Sequence, residues 1–140
     1  MANRHRRKGV LLFLAAAWIA LAWLRWRPFR VAVEGESMAP ALEPGDWVVA
    51  VRTGSIPPRS IVVVEHPDRP GFEMVKRLTG VPGETLGALV LGHDQYWVTG
   101  DRPEASTDSR WFGPVGGAAI RGTVVFRYWP SERIGPIRPG

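Results

Sequence analysis

One lysine and one serine stand out as residues able to do chemistry. The chain holds sixteen arginines and two lysines; Lys8 belongs to an N-terminal basic cluster, so Lys76 is the sole lysine of all that follows. Arginine keeps its proton in proteins, whereas a buried lysine can lose it, so a lone Lys in an Arg-biased chain marks a place where deprotonation would matter. On a strand, Phe72, Met74, Lys76 and Leu78 share one face, and Glu73, Val75, Arg77 and Thr79 the other. An ammonium on an apolar face is desolvated, which lowers its pKa toward the neutral range where a general base works best. Alternation alone favours the plainer reading of a lysine snorkelling at a strand edge.

The serine is Ser37, in Glu34-Gly35-Glu36-Ser37-Met38-Ala39-Pro40. Gly35 gives the segment freedom, Met38 is apolar in an otherwise polar turn, and Pro40 fixes the exit. A serine on irregular backbone can offer its hydroxyl and its own N–H to one carbonyl. Taken alone, it is an ordinary loop serine. A third element runs from Gly100 to Val115, where Asp108 and Arg110 are spaced for a bidentate pair and Ser106 or Ser109 for a bond to a nearby amine. Taken alone, this is an Ω-type loop locked by an ion pair.

The elements that must position these groups read as short strands: Phe29–Val33, Trp47–Arg52, Ser60–Glu65, Glu73–Thr79, Thr85–Leu91, Gln95–Thr99 and Gly122–Trp129. Turn chemistry separates them, as in Glu43-Pro44-Gly45-Asp46 and Val81-Pro82-Gly83-Glu84. Many short strands without a long helical period indicate an all-β fold, a compact antiparallel barrel or sandwich. Residues 100–121 form a long strand-poor loop, unusual in a small domain and a sign of function. The expected division is an N-terminal arm over 1–28, a β-domain over 29–130 and a frayed tail over 131–140.

The arm explains the charge. Residues 1–30 carry seven Arg/Lys and no acid, while residues 31–140 hold eleven Arg/Lys against thirteen Asp/Glu, so the formal +5 comes from the arm and the body is slightly acidic. A nucleic-acid binder carries its basic stripe on the folded body, which argues against that partner. With no cysteine, disulfides, thiolate metal sites and Cys nucleophiles are excluded, and His5, His66 and His93 are too scattered for a metal site. No metal or cofactor is expected. Val10 to Leu24 runs fifteen residues without a charge, and as a helix it spans about 22 Å, short of a bilayer core of about 30 Å. Lys8 and Arg25 can snorkel, and Trp23, Trp26 and Phe29 suit the headgroup region. The favoured reading is an uncleaved membrane anchor. A cleaved signal peptide with Ala20-Leu21-Ala22 as its small-x-small site is the alternative.

Together the three elements resemble the type I signal peptidases, membrane-bound serine endopeptidases with a Ser–Lys dyad. The resemblance rests on four ordered boxes: 35–40 around Ser37, Gly45-Asp46 with its following valines, 75–84 around Lys76, and 100–113 with Ser106, Asp108 and Arg110. It implies Ser37 as nucleophile, Lys76 as general base and Ser106 as the group orienting the amine. Asp108 and Arg110 would hold the loop, and Gly35 and Met38 would support the nucleophile turn. It also implies precursors with signal or leader peptides as substrates. A single-pass anchor in the cell membrane would have its N-terminus cytoplasmic and its catalytic domain on the outer face. Three positions depart from the family pattern: Gly35 stands where a Ser is frequent, and Arg102 and Ala105 where Asn is usual. There is also no room between Lys76 and Gly100 for the large accessory domain of bigger members. The chain is similar as well to the nickel superoxide dismutase maturation proteases, through His66-Pro67, Phe112-Gly113-Pro114-Val115 and Phe126-Arg127-Tyr128-Trp129-Pro130. From another class, a non-catalytic membrane-tethered β-module remains, but a decayed site in this Arg-rich chain could have lost its lone Lys to Arg.

Overall fold

The computed structural model describes residues 2–52 and 54–140, with side chains from Lys8 onward; the Arg4-His5-Arg6-Arg7 side chains lie outside the described residues. Helix α1 (Ala2–Trp26) takes in the whole apolar run. It stops where Pro28 disfavours helix in the residue before it, and Arg27 there adopts a positive φ of 38°. The stretch Lys8–Trp26 is long and apolar enough to cross a membrane, and none of it is buried against the body. Its nineteen residues rise about 28 Å, closer to the thickness of a bilayer core than the uncharged run alone.

The body is built from β1 (Phe29–Ala32), β2 (Trp47–Val51), β3 (Ile61–Glu65), β4 (Glu73–Gly80), β5 (Thr85–Leu86), β6 (Leu89–Val90), β7 (Gln95–Thr99), β8 (Val115–Gly116), β9 (Ile120–Trp129) and β10 (Gly135–Pro136). One antiparallel sheet runs β1-β2-β9-β3-β4-β7-β8, with β10 on β9, and β5 and β6 form a separate hairpin. Register shifts interrupt β9 against both β2 and β3. Such bulges add twist, and the sheet curls into a half-barrel. The curl lets β3 bury both faces. Ile61 and Val63 join Val33, Met38, Leu42, Val48 and Ala50 in one core, while Val62 and Val64 join Leu78, Val98 and Val115 in a second.

Two expectations need correction. The run 85–91 is a hairpin rather than one strand, because Gly87 at φ 62° turns the chain between β5 and β6. The C-terminal segment is not frayed: Gly135 and Pro136 pair with Arg127 and Phe126, and Ile137 packs on the first core. The long loop carries short structure of its own, with a 3₁₀ turn at Pro103–Ala105, helix α2 (Ser109–Phe112) and a second 3₁₀ turn at Gly117–Ala119.

Candidate active site

Ser37 heads the turn that leaves β1. Met38 and Leu42 are fully buried, and the Leu42 amide donates to the Met38 carbonyl at 2.9 Å. Met38 is thus the plug that seats the turn, the reason an apolar side chain stands in a polar segment. Ser37 itself is half-buried on the wall of an open cleft of about 340 Å³, near Gly35, His66, Phe72, Met74 and Lys76. A Cβ at Gly35 would meet nothing within 4 Å, so packing does not require glycine there. No backbone carbonyl among the described residues accepts from the Ser37 N–H, while the Ser37 carbonyl accepts from the Arg102 amide at 2.9 Å.

Lys76 lies mid-strand in β4, opposite Val62, and is 4% exposed. The alternation placed it on the face of Met74 and Leu78, and that face is turned inward, with only Phe72 half exposed at its outer end. The Lys76 amine donates to Ser37 Oγ at 2.9 Å and to Ser106 Oγ at 3.0 Å. Ser106 in turn donates to Asp108 Oδ2 at 2.6 Å. Asp108 also accepts from the Gly100 amide at 2.8 Å and from Arg110 Nε at 2.9 Å and Nη2 at 2.5 Å. The Asp108–Arg110 pair is therefore bidentate, as the spacing suggested. Ser109 takes a different partner, accepting from the Val98 amide at 2.9 Å.

Burial pulls the Lys76 amine below its ordinary value; the nearby Asp108 carboxylate opposes that pull and Arg110 adds to it. Asp108 shows the reverse balance. Burial would raise its pKa, but hydrogen bonds from Arg110, Ser106 and the Gly100 amide hold the carboxyl well below the usual range. The site thus pairs a carboxyl whose ionised form is favoured by its hydrogen bonds with a lysine whose charged form is disfavoured by burial.

Gly100 is where three parts of the site converge. A Cβ there would lie 2.4 Å from Ser106 Oγ and 2.6 Å from the Ser37 carbonyl oxygen, so only glycine lets the loop and the Ser37 turn approach this closely. Two ion pairs flanking Lys76 and Ser37 are not visible in the sequence. Arg77 donates to Asp101 through Nε and Nη2, both at 2.7 Å, zipping the strand beside Lys76 to the loop beside Gly100. Arg102 reaches Glu36 at 2.7 Å, next to Ser37. The partners lie too far apart in sequence for spacing to reveal them. Arg102 thus ties the loop after Gly100 to the segment just before Ser37 by charge.

The chain matches the family described as signal peptidase, peptidase S26, over residues 6–89 and 85–129. It is 34% identical over 122 residues to the mitochondrial inner membrane protease subunit 1 of Xenopus tropicalis, covering 77% of this chain and 73% of that protein. The mitochondrial ATP-independent inner membrane protease subunit 1b of Arabidopsis thaliana is 34% identical over 128 residues, covering 79% of this chain and 76% of that protein. The mitochondrial inner membrane protease subunit 2 of Danio rerio is 30% identical over 155 residues, covering 98% of this chain and 84% of that protein. With its anchor-length helix, curled sheet and ordered boxes, the chain belongs to the signal peptidase family, peptidase S26.

Proposed function

We propose that this protease is a membrane-anchored endopeptidase that removes signal or leader peptides after small-x-small sites, with Ser37 as nucleophile and Lys76 as general base. The observation that carries the reading is the 2.9 Å contact between the buried Lys76 amine and Ser37 Oγ. Proton accounting gives it direction. Ser106 spends its only proton on Asp108, so toward Lys76 it can only accept. A neutral amine that points one N–H at Ser106 can aim its lone pair at the Ser37 hydroxyl. Lys76 would take that proton as Ser37 attacks the scissile carbonyl, then return it to the leaving amine. Water would resolve the acyl-enzyme by the same route. The unoccupied Ser37 N–H is a donor for the oxyanion, and Gly35 contributes no hydroxyl to it.

Substrate would enter as an extended strand. On its outer edge β4 meets β7 only from Arg77 onward, so residues 73–76 keep free backbone groups facing the cleft. Small side chains suit a cleft of about 340 Å³ walled by Val33, Met38, Met74 and Val75. The relatives are named for an inner membrane, which supports α1 as an anchor here. We place the N-terminus on the cytoplasmic side and the catalytic domain on the outer face of the cell membrane, where precursors emerge. The test is cleavage of a membrane-inserted precursor by the full chain in vesicles, with the new N-terminus read by mass spectrometry. Cleavage after small residues at −1 and −3, blocked by a large residue at −1 and absent in Ser37→Ala, is expected. Cleavage that ignores the −1 side chain would overturn the specificity.

A further inference from the structure

Where α1 meets the sheet, Trp23, Leu24, Arg27, Pro28, Phe29 and Arg52 line an open hollow of about 440 Å³. Its wall changes character along the helix axis. Trp23 and Leu24 are exposed apolar residues of the membrane-length stretch, and beyond them come two guanidinium groups and no carboxylate. Neither Arg27 nor Arg52 forms an ion pair among the described residues, a state they share with Arg25, Arg30, Arg59, Arg69 and Arg138, but these two alone line the hollow. The hollow is also held in shape. The Arg52 amide donates to the Trp26 carbonyl at 2.8 Å, fastening the end of β2 to the end of α1, and the Arg52 guanidinium lies over the Phe29 ring at 5.6 Å.

We infer that this hollow binds the phosphate of an anionic phospholipid, with Arg27 and Arg52 on the phosphate oxygens and Trp23 and Leu24 beside the upper acyl chains. The inference rests on the reading of α1 as a membrane span, which puts the hollow at headgroup depth. Three arginines, Arg25, Arg27 and Arg30, follow the apolar stretch, and positive charge on that side works against an N-terminus held in the cytoplasm. Lipid phosphates at the junction would offset it. Carbonyls at the helix C-terminus repel an anion on the axis, so the phosphate must be held to one side by side chains, as this hollow does. Guanidinium forks match phosphate oxygens, and a choline cation would be repelled by the same two arginines, which favours phosphatidylglycerol over phosphatidylcholine.

The test uses the full chain in nanodiscs of equal phosphatidylglycerol and phosphatidylcholine, released and weighed by native mass spectrometry. The wild type should retain phosphatidylglycerol over phosphatidylcholine by about tenfold or more. Arg27→Gln with Arg52→Gln should bring the ratio near one, whereas Arg30→Gln, outside the hollow, should leave it. Arg27→Lys with Arg52→Lys should keep part of the preference, as expected if charge rather than fold is lost. No preference in the wild type, or an equal drop in Arg30→Gln, would overturn the site. Millimolar inorganic phosphate should not strip the retained lipid; if it does, the hollow is a general phosphate site and the lipid assignment fails. Hydrolysis of a short soluble peptide should be unchanged in the glutamine variants, so failure of the lipid site and failure of the peptidase reading separate. A chain that does not stay in the disc at all contradicts the membrane span.

Discussion

Ser106 has one proton to give, and Asp108 receives it, so toward the Lys76 amine Ser106 acts as an acceptor. The same burial that makes the amine poor at holding a proton sets the pH dependence. With the Lys76 pKa pulled below 10.5, kcat/KM on a soluble peptide should rise with pH through one ionisation below that value. An ascending limb at or above the ordinary lysine range would mean a solvated amine. The linkage has the same sign. The unfolded chain binds the extra proton between the two pKa values, so this group adds stability as pH rises through that window. Two glycines make a contrasting pair. Gly35→Ser enters open space and adds a hydroxyl beside the nucleophile, so it should fold normally and raise kcat by up to about tenfold. Gly100→Ala drives a methyl into Ser106 Oγ and the Ser37 carbonyl, so kcat should fall by about a hundredfold, since a displacement near 1 Å costs that much. Equal effects of the two changes would contradict the geometry. Residue types carried much of this site: a lone lysine, a serine beside a buried Met, an Asp and Arg two apart. What they could not carry was Arg77 with Asp101 and Arg102 with Glu36, because nothing local marks such partners.

Strand spacing in the sequence located most of the sheet to within a residue or two, since turn residues and period-two burial are local signals. It failed at β5 and β6, where one glycine breaks an apolar run, and at the C-terminal segment, whose order comes from long-range partners. Asp46 is fully buried and accepts from Arg127 Nη1 at 3.1 Å and Arg133 Nη2 at 2.5 Å. Arg127 Nη1 also donates to the Ala41 carbonyl at 3.1 Å, within the turn that follows Ser37. The C-terminal segment therefore braces the turn after Ser37 through one buried carboxylate. Removing residues 131–140 should cost about 2–4 kcal/mol in denaturant unfolding, because Asp46 loses a charged partner while staying buried. An unchanged midpoint would mean that Arg127 and the Glu43 amide together satisfy Asp46.

At the scale of the whole molecule, only ten residues lie between the end of α1 at Trp26 and Ser37, and four of them are in β1. Even fully extended, ten residues reach about 35 Å. The cleft is thus tethered close to α1, and on the proposed reading of α1 as a membrane span a membrane-inserted precursor would meet it at high effective concentration. Deleting residues 1–27 should leave hydrolysis of a short soluble peptide largely intact and slow cleavage of the inserted precursor by about a hundredfold. A flexible Gly/Ser spacer after Arg27 should weaken precursor cleavage in the same sense. Equal loss on both substrates would make the helix part of the catalytic fold rather than a tether.

The central claim, that Ser37 and Lys76 work as one unit, is tested most directly by single-turnover rates of four variants on one soluble peptide. Ser37→Ala, Lys76→Ala and the double variant should be slowed to the same level, because removing either member of a catalytic unit already removes the whole effect. Lys76→Arg should match Lys76→Ala, since it keeps the charge and cannot accept the proton. A Lys76→Arg enzyme with substantial activity, or losses that add in the double variant, would contradict the assignment.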